Sequence, residues 1–173
     1  MIGRIFFAVV IILGCGYMGR LKGEKYRFAV KQTGEFAEAL KMLEFDVSFL
    51  KLPAKDAFLR INFSKESTVK KIFSYMAGCI GNGDGISLRE AFSKALEKYE
   101  DSVFVCDFAK DTMYNFFKSF GGLDRENEIS NIRAAYTKLK FLENDESASA
   151  ESNAKMSCRL GIIAGVFFAI ILF

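Results

Sequence analysis

The residue types that most often carry chemistry are thin in this chain. It has no histidine, which removes the commonest general base and the commonest zinc ligand together. Without histidine the serines have no triad, and no Ser-x-x-Lys stands with a second catalytic element. No glycine-rich phosphate loop with a lysine occurs, so the chain lacks the usual means of nucleotide hydrolysis. Asn82-Gly83-Asp84-Gly85-Ile86-Ser87 resembles a calcium loop. Aligned on Asp84-Gly85, however, it puts Ile80 where a carboxylate is needed and Glu90 one place short of the bidentate ligand. The stretch therefore reads as a glycine-rich turn between helices. Carboxylates such as Glu97 and Glu100 belong to a solvated helix face. These residues argue against an enzyme, and no cofactor or metal is expected.

The four cysteines, at 15, 79, 106 and 158, form no CxxC pair. Cys79 and Cys106 read as small core residues, and a disulfide framework is not expected. The net charge of +3 is too mild to imply nucleic acid, and no basic helix or aromatic-basic stripe is present. Residues 20–159 are polar enough, and long enough, for one domain with its own core.

Two uncharged apolar runs bracket that domain, Ile5–Met18 and Leu160–Phe173. The second has no polar face at helical spacing, so it is not an ordinary surface helix. Each run is shorter than the ~20 residues of a typical span. Arg159 can snorkel, which lets the second helix start near Met156. The pair is expected to form a membrane-anchored hairpin: residues 1–20 as one transmembrane helix and 155–173 as the other, with 21–154 as the domain between them. Arg20, Lys22, Lys25, Arg27, Lys155 and Arg159 flank the domain side, against Arg4 on the other. The positive-inside rule then places the domain in the cytoplasm and both termini outside. The competing reading is a lipoprotein signal, Ile12-Leu13-Gly14-Cys15, with Cys15 lipidated and the domain exported to a cell-envelope role. Leu13 fits such a box poorly, and the cationic cluster after it resists export.

Between the runs the periodicity is helical. Phe36, Leu40, Leu43, Val47 and Leu50 form the seam of an amphipathic helix. That helix is expected to begin near Glu24, with Gly34 as a weak point, and to end before the sole proline, Pro53. A short helix follows over Ala54–Ile61, then one capped by Ser64 and running to Ile80. Ser87-Leu88-Arg89-Glu90 reads as a capping box. Val105, Phe108, Thr112, Phe116 and Phe120 mark the next helix, stopped by Gly121-Gly122. Asp124 caps the last, whose face is Ile129, Ile132, Tyr136 and Leu139; Asn144–Asn153 either continues or breaks it. The fold class is all-α, a cytoplasmic bundle of about five to six helices flanked by the two transmembrane helices.

The 19 phenylalanines read first as core. Phe116-Phe117 is adjacent, so one ring must leave the main seam, toward a neighbouring helix or a protein interface. Gly161, Gly165 and Ala169 make a small-residue stripe that lets backbones approach closely. It suits packing against the first apolar helix or a neighbouring copy of the chain.

Several segments in this order resemble the stage III sporulation protein AB family of endospore-forming bacteria. They are an N-terminal apolar run ending in Gly19, Ala39-Leu40-Lys41-Met42-Leu43-Glu44 with Pro53 after it, Gly122 followed by Asp124-Arg125-Glu126-Asn127 and Ile132, and Lys155 with Leu160-Gly161-Ile162-Ile163-Ala164-Gly165. Glu128, Gly121 and Ser157-Cys158 depart from the residues usual there. The resemblance implies a cytoplasmic helical domain similar to that of type II secretion F proteins, held in the mother-cell membrane. It also implies a non-enzymatic place in the assembly linking mother cell and forespore. The partners implied are membrane lipid, the secretion-type ATPase stage III sporulation protein AA and other proteins of the stage III sporulation A complex. Asp124, Arg125 and Glu126 are the matched polar positions, Asp124 and Glu126 suited to the cap and dipole of a helix start and Arg125 to that role or a partner contact.

Overall fold

The computed structural model describes residues 2–63, 67–81, 85–121 and 124–171, with side chains from Leu13 onward except those of 168, 169 and 171. Among the described residues every regular element is helical. The order is α1 (Ile2–Phe45), a π-helical turn (Asp46–Leu50), α2 (Ala54–Arg60), α3 (Thr68–Gly81), α4 (Leu88–Lys98), a 3-10 turn (Glu100–Ser102), α5 (Asp107–Ser119) and α6 (Arg125–Ile171). The chain divides into two compact units, Lys31–Asn144 and the pair of segments Met1–Val30 with Asp145–Phe173. Helices α1 and α6 each contribute to both.

The core of the Lys31–Asn144 unit is phenylalanine packed on phenylalanine. Phe58, Phe73, Phe92 and Phe117 are buried. Phe58 lies 5.5 Å from Phe73 and 6.0 Å from Phe117, centroid to centroid, both edge-on. Phe92 reaches Phe117 at 4.9 Å. These separations suit aromatic pairs, which add about 0.5–1.5 kcal/mol each beyond their buried area. Phe116 and Phe117 are both buried, the second filling the space that α2, α3 and α4 leave between them.

Several local expectations are corrected. The first helix does not begin near Glu24 but runs unbroken from Ile2. Single glycines cost a helix only about 1 kcal/mol each, and this run contains no proline. Gly34 is no weak point: it is buried, and a Cβ there would stand 2.7 Å from Glu143 Oε1. The seam holds through Val47 and fails at Leu50, which is exposed. The π turn adds a residue to the helical repeat there, so Asp46 and Val47 are both buried and the following side chains turn outward. Lys51, with φ 51°, ends the turn in the left-handed region, two residues before Pro53. Helix α3 starts at Thr68, and its cap is Ser67, whose Oγ accepts from Lys70 N at 3.2 Å; Ser64 lies outside the described residues. Phe108 is 56% exposed, whereas Ala109 and Met113 take the buried face with Thr112 and Phe116. The Asn144–Asn153 stretch continues the last helix. Ser87 does cap α4, accepting from Glu90 N at 3.2 Å, while the Glu90 carboxylate pairs with Lys94.

Candidate functional site

The matched polar stretch opens α6. Asp124 precedes the helix and its carbonyl accepts from Glu128 N at 2.9 Å. Its carboxylate takes the Asn127 side-chain amide. Glu126 and Glu128 lie in the first turn, where negative charge meets the positive end of the helix dipole. Glu128 also accepts from Gly121 N at 2.8 Å, which fastens the positive-φ turn (φ 90°) at the end of α5 to the start of α6. Arg125 reaches across the fold. Its Nη2 donates to the Val47 carbonyl at 2.9 Å and also to the Ser48 carbonyl. Those carbonyls belong to the π turn, where the end of a helix leaves acceptors without intrahelical partners and favours a cation. Glu44, just before that turn, pairs with Arg133 of α6 at 2.5 Å. Asp46 is buried within the turn and pairs with Arg60 of α2 at 3.4 Å. Three arginines thus converge on the end of α1.

A second polar anchor lies along α1. Gln32 is buried; its Nε2 donates to Ser102 O at 2.7 Å and its Oε1 accepts from Phe104 N at 2.8 Å. One amide thereby holds the extended segment before α5. Neither Gln32 nor Asp46 showed in the sequence as a candidate, because a polar residue on an apolar face looks like noise until its partner is placed.

In the unit formed by Met1–Val30 and Asp145–Phe173, α1 and α6 touch backbone to backbone. A Cβ on Gly161 would stand 2.6 Å from Cys15 O and 3.2 Å from Gly19 Cα. One on Gly19 would stand 2.6 Å from Ser157 O, and one on Gly23 would stand 3.1 Å from Ala154 Cα. Gly165 is buried, and the Ala169 side chain lies outside the described residues. The sequence carried the other half of this seam as Cys15, Gly19 and Gly23, small residues every four positions. Its signal is the same as that of Gly161 and Gly165, diluted by the charged residues between.

Away from the seam, Leu160, Ile162, Ile163, Val166, Phe167 and Ile170 are between 41% and 70% exposed. Among the described residues no helix is long and apolar enough to cross a membrane. Of the calcium-like stretch, 82–84 lie outside the described residues; Gly85 has φ 63° and Ser87 is spent on the α4 cap. Among the described residues no three metal-ligating side chains come together.

Fold and site define an all-α protein whose two long helices meet through glycine in one unit, while the other unit has a phenylalanine core. The sequence model of the family described as Stage III sporulation protein AB matches residues 4–173, and the chain belongs to that family. The Stage III sporulation protein AB of Bacillus subtilis (strain 168) is 24% identical over 169 residues, covering 98% of each chain. A solved structure described as Stage III sporulation protein AB shares the fold, with a TM-score of 0.63 at 21% identity. It covers 72% of this chain and 97% of that one.

Proposed function

We propose that this chain is a membrane-held docking component of the sporulation assembly between mother cell and forespore, without catalytic activity of its own. Residues 21–154 face the mother-cell cytoplasm, residues 1–20 and 155–173 lie in the membrane, and both termini are outside. The observation that carries this reading is the run of large apolar side chains exposed on α6 from Leu160 to Ile170. Patches of this kind on a protein in water mark an interaction or membrane surface, and here they continue straight from Lys155 and Arg159. The apolar stretch is short for a span, and snorkelling by Arg159 extends the length that lipid accepts. Helices α1 and α6 meet in that unit through small residues, which is how membrane helices associate without a hydrophobic gain.

The partner we propose is a secretion-type ATPase, stage III sporulation protein AA, held at the membrane by the helical domain. The absence of histidine and of a phosphate loop is in keeping with a protein that positions an ATPase and performs no hydrolysis itself. The test is the distribution of the ATPase between membrane and soluble fractions in sporulating cells. Removing this chain should release the ATPase to the soluble fraction. Equal recovery on membranes with and without the chain would show that something else docks it.

A further inference from the structure

In the unit formed by Met1–Val30 and Asp145–Phe173, charge is ordered along the helix pair. The close approach of Gly19 to Ser157 and Cys158, and of Gly23 to Ala154, sets the antiparallel register of α1 and α6. In that register Lys22 stands level with Lys155. Arg159 lies about one turn nearer the apolar runs, close to the level of Gly19 and Arg20. All four cations are exposed. From the apolar side they come before any carboxylate, since the first on α1 is Glu24 and the nearest on α6 is Glu151. Both of those carboxylates are already engaged. Glu24 pairs with Arg20 at 3.4 Å and Glu151 with Lys155 at 2.8 Å. That leaves Lys22 and Arg159, which join no ion pair among the described residues. Each of the two also continues an exposed apolar face. Met18 lies one turn before Lys22, Ile162 and Ile163 lie one turn after Arg159, and all three are exposed.

We infer that Lys22 and Arg159 bind the headgroups of anionic phospholipids, so that the chain gathers acidic lipid around its paired helices. The inference rests on the membrane placement of residues 1–20 and 155–173 proposed above, and it names the lipid class that this placement leaves open. A basic side chain beside an anionic leaflet is drawn to it, and salt weakens the attraction. A bilayer presents hydrocarbon first and headgroup charge next, which is the order in which Met18 and Lys22, and Ile163 and Arg159, follow one another. An acidic segment of a protein would have to supply both surfaces at one level on two helices. With no carboxylate of the chain nearer the apolar runs than these cations, nothing of its own repels the lipid phosphates there.

The test uses the full chain reconstituted in vesicles of phosphatidylcholine and phosphatidylglycerol, with one lipid brominated at a time. The chain has no tryptophan, so Tyr17→Trp, at an exposed position beside the cations, gives a single fluorescent reporter. Brominated phosphatidylglycerol should be preferred at the reporter about fivefold over brominated phosphatidylcholine at equal mole fraction. That preference should fall as salt rises. Lys22→Gln together with Arg159→Gln should bring the two lipids to parity. Lys41→Gln, in the other unit, should leave the preference as it was. Parity in the unaltered chain would leave the two cations for an acidic protein segment and overturn the inference, while quenching by both lipids keeps the membrane placement. Quenching by neither lipid overturns both. A preference that survives the double substitution also overturns the inference, because other cations then hold the headgroups.

Discussion

At the residue scale, Arg125 illustrates how one side chain can decide where a helix end sits. Its guanidinium bonds the carbonyls of Val47 and Ser48, and a hydrogen bond to a charged group contributes about 1.5–3 kcal/mol. Arg125→Ala should therefore lower stability by about 1–3 kcal/mol, read from urea unfolding of the detergent-solubilised chain. Arg125→Lys should recover only part of it, since a lysine lacks the planar fork. An unchanged midpoint in the alanine variant would show that the π turn stands without this bond. Glu151 gives a second residue-scale outcome. Its pKa is held below the ordinary carboxylate value, first by the hydrogen bond from Lys155 and then by that cation's charge. A depressed carboxylate contributes stability above its unfolded pKa and loses it as pH falls through the folded pKa, so the pair acts at neutral pH and is lost in acid. Lys155→Met should move the Glu151 titration upward, followed by carbon NMR of the side-chain carboxyl. No movement would mean that the pair does not persist in solution.

Helices test packing differently, through the space that each glycine leaves. Gly78 lies inside α3 with nothing within 4 Å of a Cβ built there. Gly78→Ala should stabilise the protein by about 0.5–1 kcal/mol. Gly161→Leu should do the reverse in its own unit, because the added side chain meets the Cys15 carbonyl at 2.6 Å already at its first atom. Gly14 has open space and supplies the control. Crosslinking through Cys15 and Cys158, which flank the crossing, should drop in Gly161→Leu and persist in Gly14→Leu. Equal yields in both would mean that α1 and α6 do not meet at this seam. In the other unit, Phe73→Ala removes a ring in contact with Phe36, Phe58 and Phe117 and should cost about 3–5 kcal/mol. The helical elements and most of their buried faces were legible in the sequence because helical spacing of apolar residues survives any arrangement of neighbours. Phe36, Leu40, Leu43, Ile132 and Leu139 are buried as that spacing requires. The exposed Leu50 and Phe108 were not legible. The first depends on the π turn, which changes the helical repeat after Phe45, and the second on which neighbour the face of α5 meets. Half of the glycine seam was equally hidden, since Gly19 and Gly23 sit among Arg20, Lys22 and Glu24.

At the scale of the whole molecule, one unit has a phenylalanine core and the other is built on a glycine seam between α1 and α6; in the proposed role, lipid covers the exposed apolar face of α6. The Stage III sporulation protein AB family model matches residues 4–173, so the match takes in both apolar runs as well as the residues between them. Everything proposed for docking depends on which side of the membrane the helical domain faces. A lipoprotein anchored at Cys15 would carry the same fold on the opposite side. The flanking cations Arg20, Lys22, Lys25, Arg27, Lys155 and Arg159 oppose that arrangement.

The most direct measurement is therefore the side on which the domain lies. An alkaline phosphatase reporter and a green fluorescent protein reporter are each placed in the turn between α3 and α4 of the full chain, in intact cells. The account predicts fluorescence without phosphatase activity, and no acyl label that is lost on Cys15→Ser. An active phosphatase, or acylation that depends on Cys15, would place the domain outside and contradict the docking role altogether.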